Sequence, residues 1–506
     1  MGFYEIVIST DRTMMSNHHG KEFLGFLATG PPFKIPEKIW MWIAAPKVKV
    51  DEHGRPVEAP YGLRKIEAKL IDAGFKASII DPDHIGKHLD TMKLLLIGHH
   101  DYFSYGPPSS EWWSITGREP VNRVSFRRFM ENPVVRKAKE KGVKIIAGGP
   151  AAWQWLWELD YWKKWGVDTV VEGEAERIIV DLVDKALNNE PLPQYIYIGP
   201  HDTPSIEEIP VIKAASVNGL VEIMRGCPRG CRFCSVTYRP LRFIPIDKII
   251  EEIRVNLKYG VKGVILHSED VLLYGADGVR VKPEPVIKLH EAVMKEIGET
   301  GGFAWSHASL TCIKYAENEY KLVSKLMNDY IKSSHRKYLG VEVGIETGSP
   351  RLARKIMYAK SAPYPPEQWP SIVEEAFSIM HENNIVPAAT LILGFPDETI
   401  DDVVKTAELI DRLKPYRSII VPMFFVPMGV LKNNKWFLRE RLSLEHIDVL
   451  IKCFRHTVYW AEDIMNKFYL HEWYLFPVRF FLRIFIWLAK REGEKTIRKL
   501  EYSMKK

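Results

Sequence analysis

Arg225-Gly-Cys-Pro-Arg-Gly-Cys-Arg-Phe-Cys-Ser235 places Cys227, Cys231 and Cys234 in a C-x3-C-x2-C loop that offers three thiolates and no fourth. A structural zinc site closes with four protein ligands, whereas a cubane [4Fe–4S] cluster held by three cysteines keeps one iron open for a substrate or cofactor. A disulfide would leave one cysteine over, and a zinc ribbon needs a second C-x2-C that the sequence lacks. The other two cysteines are isolated: Cys312 in a segment that reads as a buried strand, Cys453 in one that reads as a helix. A free thiol in such places behaves as a small hydrophobe. Five cysteines in 506 residues, three of them in one ligand loop, point to a reducing compartment.

Outward from the loop the chain alternates strand-like and helix-like segments. Strands are expected at 221–224, 264–267, 303–306, 339–345, 388–393 and 418–425, with helices at 247–259, 285–297, 320–331, 369–383 and 400–413. Six such units over 219–430 predict a partial (β/α)6 barrel with its reactive face at the carboxyl ends of the strands. Upstream, residues 38–190 alternate short apolar runs (39–44, 76–80, 94–97, 143–147, 169–171) with amphipathic segments (63–73, 134–141, 175–187), a doubly wound parallel-sheet pattern filling a domain over 1–200. Ligands of such sheets sit beyond the strands' carboxyl ends, here the loops 45–60, 98–108, 148–153 and 172–175. The segment 201–218, with prolines clustered in and just before it, reads as a linker, and 431–506 as a helical, aromatic and basic region.

The cysteine loop resembles the signature of the radical S-adenosylmethionine (SAM) superfamily. That resemblance implies a [4Fe–4S] cluster on the three cysteines, its open iron chelating the methionine part of SAM, and cleavage to a 5′-deoxyadenosyl radical. In His267-Ser-Glu-Asp270 it assigns Glu269 to the SAM ammonium, with Asp270 as the alternative; a carboxylate suits a buried cation. In Gly344-Ile-Glu-Thr-Gly-Ser-Pro350 it assigns Glu346 to the ribose hydroxyls. In Leu391-Ile-Leu-Gly-Phe-Pro-Asp-Glu-Thr399 it sets Ile392 behind the adenine and lets Gly394 approach the ligand closely. Glu398 either joins that motif or stabilises the N-terminus of the next helix.

Three upstream segments are similar, in order, to the Rossmann-like cobalamin-binding domain that precedes many radical SAM cores: Ala59-Pro-Tyr-Gly-Leu-Arg-Lys65, Ala147-Gly-Gly-Pro-Ala151 and Val171-Glu-Gly-Glu-Ala-Glu176. The resemblance implies cobalamin contacts from Tyr61, Gly62, Gly148, Gly149, Glu172 and Glu174. The D-x-H-x-x-G pattern that supplies a histidine to cobalt in methionine-synthase-like domains is missing; Asp51-Glu-His53 and Asp83-His84 lack its spacing. A histidine-off cobalamin or an empty site both fit.

The net charge is a modest +6, but residues 490–506 carry seven basic against three acidic residues. Ahead of them, helical spacing over 471–490 puts Arg479, Arg483 and Lys490 on one narrow face of an otherwise apolar, aromatic segment, which suits either burial or a lipid interface. No uncharged stretch approaches the roughly 20 residues of a spanning helix, and the N-terminus lacks a signal-peptide pattern. With the segment 9–26, these features are similar to archaeal ring synthases acting on tetraether (GDGT) membrane lipids. That similarity implies cyclopentane formation, a membrane lipid substrate, a ferredoxin or flavodoxin as electron donor, no nucleic-acid partner, and a cytoplasmic protein peripheral to the membrane. A cobalamin-dependent radical C-methyltransferase is the rival reading, and a non-catalytic lipid- or RNA-binding scaffold the third.

Overall fold

The computed structural model describes residues 3–20, 25, 29–31, 35–298, 301–331, 338–469 and 476–504. The chain divides into two compact units, one of residues 1–31, 35–221 and 247–263, the other of 32–34, 222–246 and 264–506.

The first unit is built on a six-stranded sheet of β1 (Ile6–Ser9), β2 (Ala77–Ile79), β3 (Leu94–Gly98), β4 (Lys144–Gly148), β5 (Thr169–Glu172) and β6 (Tyr195–Tyr197), ordered β2-β1-β3-β4-β5-β6. Every neighbouring pair is parallel. β1 and β3 are buried throughout, as near-continuous apolar runs must be when helices cover both faces. One core lies on each side: Phe103, Phe126, Trp155 and Trp165 pack with Ile97 and Ile145 on one, while Leu63, Leu70, Leu182 and Val183 pack with Ile8 and Leu96 on the other. The order reverses at β1, so the crevice between the ends of β1 and β3 is the topological switch point.

This corrects the expected strand list. The run 39–44 is not a strand but part of the helix Glu37–Ala44, whose apolar residues alternate at helical spacing to bury Trp40 and Ala44. The first strand is Ile6–Ser9, too short and too close to the N-terminus for its four apolar-rich residues to stand out. The loop leaving the first strand therefore starts at Thr10-Asp11 rather than at Ala45. The segment 201–218 contains buried Ile209, Ile212 and Ala215. Its backbone is held by Glu252 and Asn256 of the helix Ile246–Lys258, through the amides of Ile212 (3.2 Å) and Ser216 (2.9 Å).

The remaining strands follow as β7 (Leu220–Glu222), the antiparallel pair β8 (Met224–Arg225) and β9 (Arg242–Phe243), β10 (Gly263–His267), β11 (Gly302–Trp305), β12 (Leu339–Glu346), β13 (Ile385–Leu393) and β14 (Ile419–Phe424). They form the orders β11-β10-β7 and β12-β13-β14, joined by a parallel bridge between His307 and Glu342. The result is the six-strand arc with intervening helices that the sequence predicts. Along β12 and β13 the burial alternates, outward residues fully buried under helices and inward ones half-buried around a lumen. Helix starts follow their caps: the Ser309 hydroxyl accepts from the Cys312 amide, and Thr399 with Asp402 forms a capping box. Cys312 thus lies on the helix Leu310–Tyr320, not on a strand; its apolar neighbours face the core at helical rather than alternating spacing.

Candidate functional site

The β8–β9 ribbon pairs the residues flanking the cysteine loop, Arg225 with Arg242, and so closes its base. Gly226 turns into the loop at φ +82°, where a Cβ would lie 2.6 Å from the Arg239 carbonyl oxygen. The far side is sealed by Gly429 (φ +58°), whose absent Cβ would meet the carbonyl oxygens of Arg232 and Cys234 at 2.8 and 2.9 Å. Between the second and third cysteines, Phe233 packs on Phe395, ring centroids 5.3 Å apart.

Burial pushes the Cys227 thiol up to about 11, with Glu269 adding to the shift, and the Cys234 thiol up to about 12, again with Glu269 adding. Burial also raises Cys231, against the opposing charge of Lys360. These thiols stay protonated until a metal displaces the proton. Among the described residues no three His, Cys, Asp or Glu side chains converge on a point that one metal ion could occupy. Thiolates spread over the corners of a cubane need not converge so tightly, whereas a single zinc at ~2.3 Å from each sulfur would require it.

Two buried cations flank the loop, and the sequence reading missed both. Arg229 sits inside the C-x3-C segment, 3% exposed. Its guanidinium donates to the carbonyl of Lys360 (2.8 Å), the Ser309 hydroxyl (2.9 Å) and the Cys312 sulfur (3.0 Å), and lies 3.5 Å from Asp270. Asp270, the alternative to Glu269, is 1% exposed and lies against this arginine through Oδ2, while its Oδ1 is buried without a hydrogen-bond partner among the described residues. Glu269 is half-buried and its charge acts on Cys227 and Cys234, while that of Glu346 acts on Cys231.

Lys360, the second cation, pairs with Glu346. Glu346 adopts φ +60°, a conformation that costs a non-glycine residue about 1–3 kcal/mol and is held only where surroundings demand it. Its carboxylate folds back over Gly344, where any Cβ would collide with it. Gly344 therefore serves the ion pair, and Glu346 reaches the site already partnered.

Gly394 (φ +83°) is corrected too. The space its Cβ would fill holds the Phe437 ring, so this glycine admits an aromatic side chain of the chain itself, not a ligand. Ile392 faces the lumen, half-buried. Glu398 accepts from the Gly394 amide (2.7 Å) and meets His446 Nε2 (3.0 Å), fastening the loop to the helix Leu444–Ile464, while Thr399 and Asp402 cap the next helix without it.

Inside the arc lies a layer of ionisable groups. Arg225 Nε donates to both Glu222 oxygens at 2.9 Å. His307 Nε2 stands 3.0 Å from Glu342, and the His267 ring lies 6.1 Å from that of His307. Burial, then the neighbouring His307, lowers His267, and its Nδ1 is buried without a hydrogen-bond partner.

At the strand ends of the first unit, most of the proposed cobalamin contacts are engaged within the chain. The Tyr61 hydroxyl donates to Glu252 (2.7 Å), and the Tyr195 hydroxyl donates to Glu172. Glu174 is buried. Gly149 (φ +91°) admits the His99 backbone, whose carbonyl oxygen would be 2.9 Å from a Cβ. Gly62 has open space around it, and Gly148 has only the Val171 carbonyl oxygen at 3.6 Å. Asp11, leaving β1, meets His99 Nε2 at 2.8 Å and accepts from the Thr13 amide and hydroxyl. Neither His53 nor His84 belongs to the loop that leaves β1: the former lies beside Glu52 (3.4 Å), the latter beside Asp81 (3.3 Å).

The terminal helix Phe476–Met504 exposes Phe476, Phe480, Ile484 and Trp487 along one stripe. Of the expected basic face, Arg479 is half-buried, Lys490 is exposed, and Arg483 is engaged by Glu462 at 3.1 Å. Residues 471–475, including Trp473, lie outside the described residues, as do 21–24, 26 and the tail residues 505–506. No helix among the described residues is long and apolar enough to cross a membrane.

Known proteins share parts of this architecture. An uncharacterized protein of Methanopyrus kandleri is 26% identical over 199 residues, 38% of this chain and 34% of that protein. A tRNA-2-methylthio-N(6)-dimethylallyladenosine synthase of Thermotoga petrophila is 23% identical over 331 residues, 60% of this chain and 69% of that one. The chain thus spans about a third of the first relative's length and about two thirds of the second's. Among solved structures, the radical SAM methyltransferase TsrM of Kitasatospora setae, with cobalamin and a [4Fe–4S] cluster bound, superposes with a TM-score of 0.53 at 11% identity, covering 84% of this chain and 76% of that one. At that identity the likeness concerns the fold. Residues 221–410 match the radical SAM superfamily profile, and they hold the three cysteines, Glu269 and Glu346.

Proposed function

We propose that the protein is a radical SAM enzyme that uses a [4Fe–4S] cluster, SAM and a corrinoid to form a carbon–carbon bond at an unactivated position, by methyl transfer. The observation that carries this reading is the grouping of Cys227, Cys231 and Cys234 with Glu269 on one side and the Lys360–Glu346 pair on the other. Bound there, the cluster supplies the electron that splits the sulfonium of SAM. Glu269 holds the ammonium of SAM by a charge-assisted hydrogen bond, and Lys360 balances a carboxylate. Glu346 accepts from ribose hydroxyls, and Ile392 lines the adenine side. Arg229, neutralised by Asp270, fixes the loop's shape from within. The arc positions a substrate carbon and keeps water out, which is proximity catalysis for a radical. A ferredoxin or flavodoxin is the proposed electron donor.

The ionisable lumen favours methyl transfer over lipid ring closure: Glu222, Arg225, His267, His307 and Glu342 suit a hydrogen-bonding substrate better than bare polymethylene. The corrinoid is proposed at the strand ends of the first unit, where the fold likeness to a cobalamin-containing enzyme and the open surroundings of Gly62 and Gly148 support it. Cyclopentane formation in tetraether lipids is the second reading, with a peripheral location on the membrane's cytoplasmic face. The exposed aromatic stripe of the helix Phe476–Met504 is what favours it. Mass spectrometry of a host carrying the gene against one without it separates the two. A gain of CH2 in a polar metabolite is expected; a loss of two hydrogens per ring in the lipids would establish the second reading instead, and the absence of any 5′-deoxyadenosine from the reconstituted protein would remove both.

A further inference from the structure

Of the two buried cations beside the cysteine loop, one is clasped by its carboxylate and the other is not. Lys360 pairs directly with Glu346. Arg229 is 3% exposed, and its only ion-pair partner among the described residues, Asp270, comes no closer than 3.5 Å, through one oxygen. That is longer than the roughly 2.7–3.2 Å of a formed N–H···O bond. Elsewhere in the chain Arg12 holds Asp81 through two bonds of 2.7 Å. Two atoms of the Arg229–Asp270 pair, the arginine Nε and the aspartate Oδ1, are buried with no hydrogen-bond partner. The guanidinium is held mainly by neutral groups: the carbonyls of Ala359 (3.2 Å) and Lys360 (2.8 Å), the Ser309 hydroxyl (2.9 Å) and the Cys312 sulfur (3.0 Å). A buried cation so loosely countered is costly, and buried polar atoms left unsatisfied in a loop of metal ligands point to a partner that arrives with the metal.

We propose that Arg229 sets the reduction potential of the iron–sulfur cluster held by Cys227, Cys231 and Cys234, through a loosely countered positive charge and an Nε–H left to donate to a sulfur of the loaded loop. This rests on the reading of the loop as a cluster site. The potentials of such clusters follow net charge, hydrogen bonds to the sulfurs and solvent exposure. A fixed cation in a low-dielectric enclosure favours the form that carries one more electron. Arg229 stands two residues from Cys227 and two from Cys231, and the carbonyls of Ala359 and Lys360 pin its guanidinium there. Burial works to lower the arginine's pKa, but Cys312, Asp270, Cys227 and Cys231 outweigh it, so the side chain keeps its charge. Asp270 subtracts from the same field and acts on the potential with the opposite sign. Lys360, matched at contact by Glu346, adds little net charge. Reduction adds one electron, drawn from the donor protein or, in the test, from dithionite; no bond is made or broken and no proton moves. Arg229 acts through the cluster and not on the substrate.

The test is a potentiometric titration of the full chain, anaerobically reconstituted with iron and sulfide and free of SAM, with the reduced cluster counted by electron paramagnetic resonance. At the potential that half-reduces the wild type, Arg229→Met should lower the ratio of reduced to oxidised cluster about tenfold, which is about 59 mV for one electron. Asp270→Asn should raise that ratio, because the cation then stands unopposed. Arg229→Lys keeps the charge but loses the planar fork, and should fall between the wild type and Arg229→Met. Iron content and circular dichroism report the fold of each variant. A role confined to the loop's shape would cost iron without shifting the two charge variants in opposite directions. If Arg229→Met loses its cluster, Asp270→Asn decides alone, and an unchanged or lowered ratio overturns the proposal. Shifts of the same sign in both charge variants, no shift in either, or loss of iron in all three overturns it as well, and each leaves the cluster reading standing. Wild-type protein that takes up no iron overturns both.

Discussion

The barrel and the N-terminal sheet are both built on parallel strands, and in both the functional end is the carboxyl end, yet they present ligands with opposite surfaces. Around the cysteine loop the charges come in buried pairs, Arg229 with Asp270 and Lys360 with Glu346, and the thiols have no mutual partner. At the sheet's end the acidic groups are already engaged by the chain, Asp11 by His99 and Glu172 by Tyr195. The difference teaches that the barrel's chemistry lies in charge set at close quarters, while the acidic groups of the sheet serve the chain itself.

The largest effect should come from the thiols themselves. Replacing Cys227, Cys231 or Cys234 by Ala should reduce about four irons per chain to below one after anaerobic reconstitution and abolish 5′-deoxyadenosine release. Cys453→Ser, in the helix Leu444–Ile464, should keep both. Full iron loading in a loop variant would break the distinction between the two regions, since the metal would then be held elsewhere.

Next are the buried pairs. Lys360→Met strands the Glu346 carboxylate, 6% exposed, and breaking such a pair costs about 3–5 kcal/mol. Denaturant titration should show that loss, and adding Glu346→Gln should recover a large part of it. Equal destabilisation by the single and double variants would mean that the lysine acts by packing alone. Glu269→Gln differs in kind: it removes one charge-assisted hydrogen bond of about 1.5–3 kcal/mol, so SAM affinity should fall roughly ten- to a hundredfold while the melting temperature barely moves. Asp270→Asn should do the reverse, lowering stability through Arg229 more than it lowers SAM affinity.

Much of this contrast was legible in the sequence, and its limits are physical. The odd number of thiols gave away the loop, and regular strand–helix alternation gave the arc, because a parallel barrel repeats one local pattern six times. The glycines misled. Gly149 and Gly394 read as room for a ligand, but each makes room for a group of the chain: the His99 backbone and the Phe437 ring. A glycine reports a close approach without saying by what. Lys360 and Arg229 were invisible for the converse reason, since lysine and arginine are common on surfaces and only the fold shows them buried between thiols and carboxylates. Ile6–Ser9 was missed because a central strand of four residues is shorter than any periodicity can register, and with it went the true first loop.

In the sheet the corresponding pair is Asp11–His99. Burial works to raise the Asp11 carboxyl, but His99 and the hydrogen bonds around it win and hold it at about 2. A carboxyl depressed in the folded state gives stability that is complete above its unfolded value of about 3.9 and is lost as pH falls through about 2. Asp11→Asn should therefore cost about 2 kcal/mol at neutral pH, and its stability should lack the part of the acid limb that the wild type shows between roughly pH 4 and 2. An identical acid limb in both proteins would mean that the aspartate is not held by His99.

The smallest effect, and the one that decides whether a lipid surface belongs in the picture, is expected on the terminal helix. Phe480 and Trp487 are each 57% exposed, seven residues apart along the same stripe, with Arg491 stacked over Trp487 at 5.8 Å. Apolar rings left in water on a helix that packs its other side, with Gly493 against Phe454, need a reason, and an anionic membrane is the proposed one. Arg483 is a poor probe of it, because it is already paired with Glu462. Arg479→Glu with Lys490→Glu should weaken flotation with anionic vesicles by about 1 kcal/mol per basic residue replaced, an effect that fades as salt rises. Phe480→Ser with Trp487→Ser should weaken it at every salt concentration, because buried apolar area is not screened. SAM cleavage should be untouched in all of these, since the last strand of the arc ends at Phe424. If the aromatic variants float as well as the wild type while the charge variants do not, the helix is merely basic, and the second reading of the function loses the one observation that favours it.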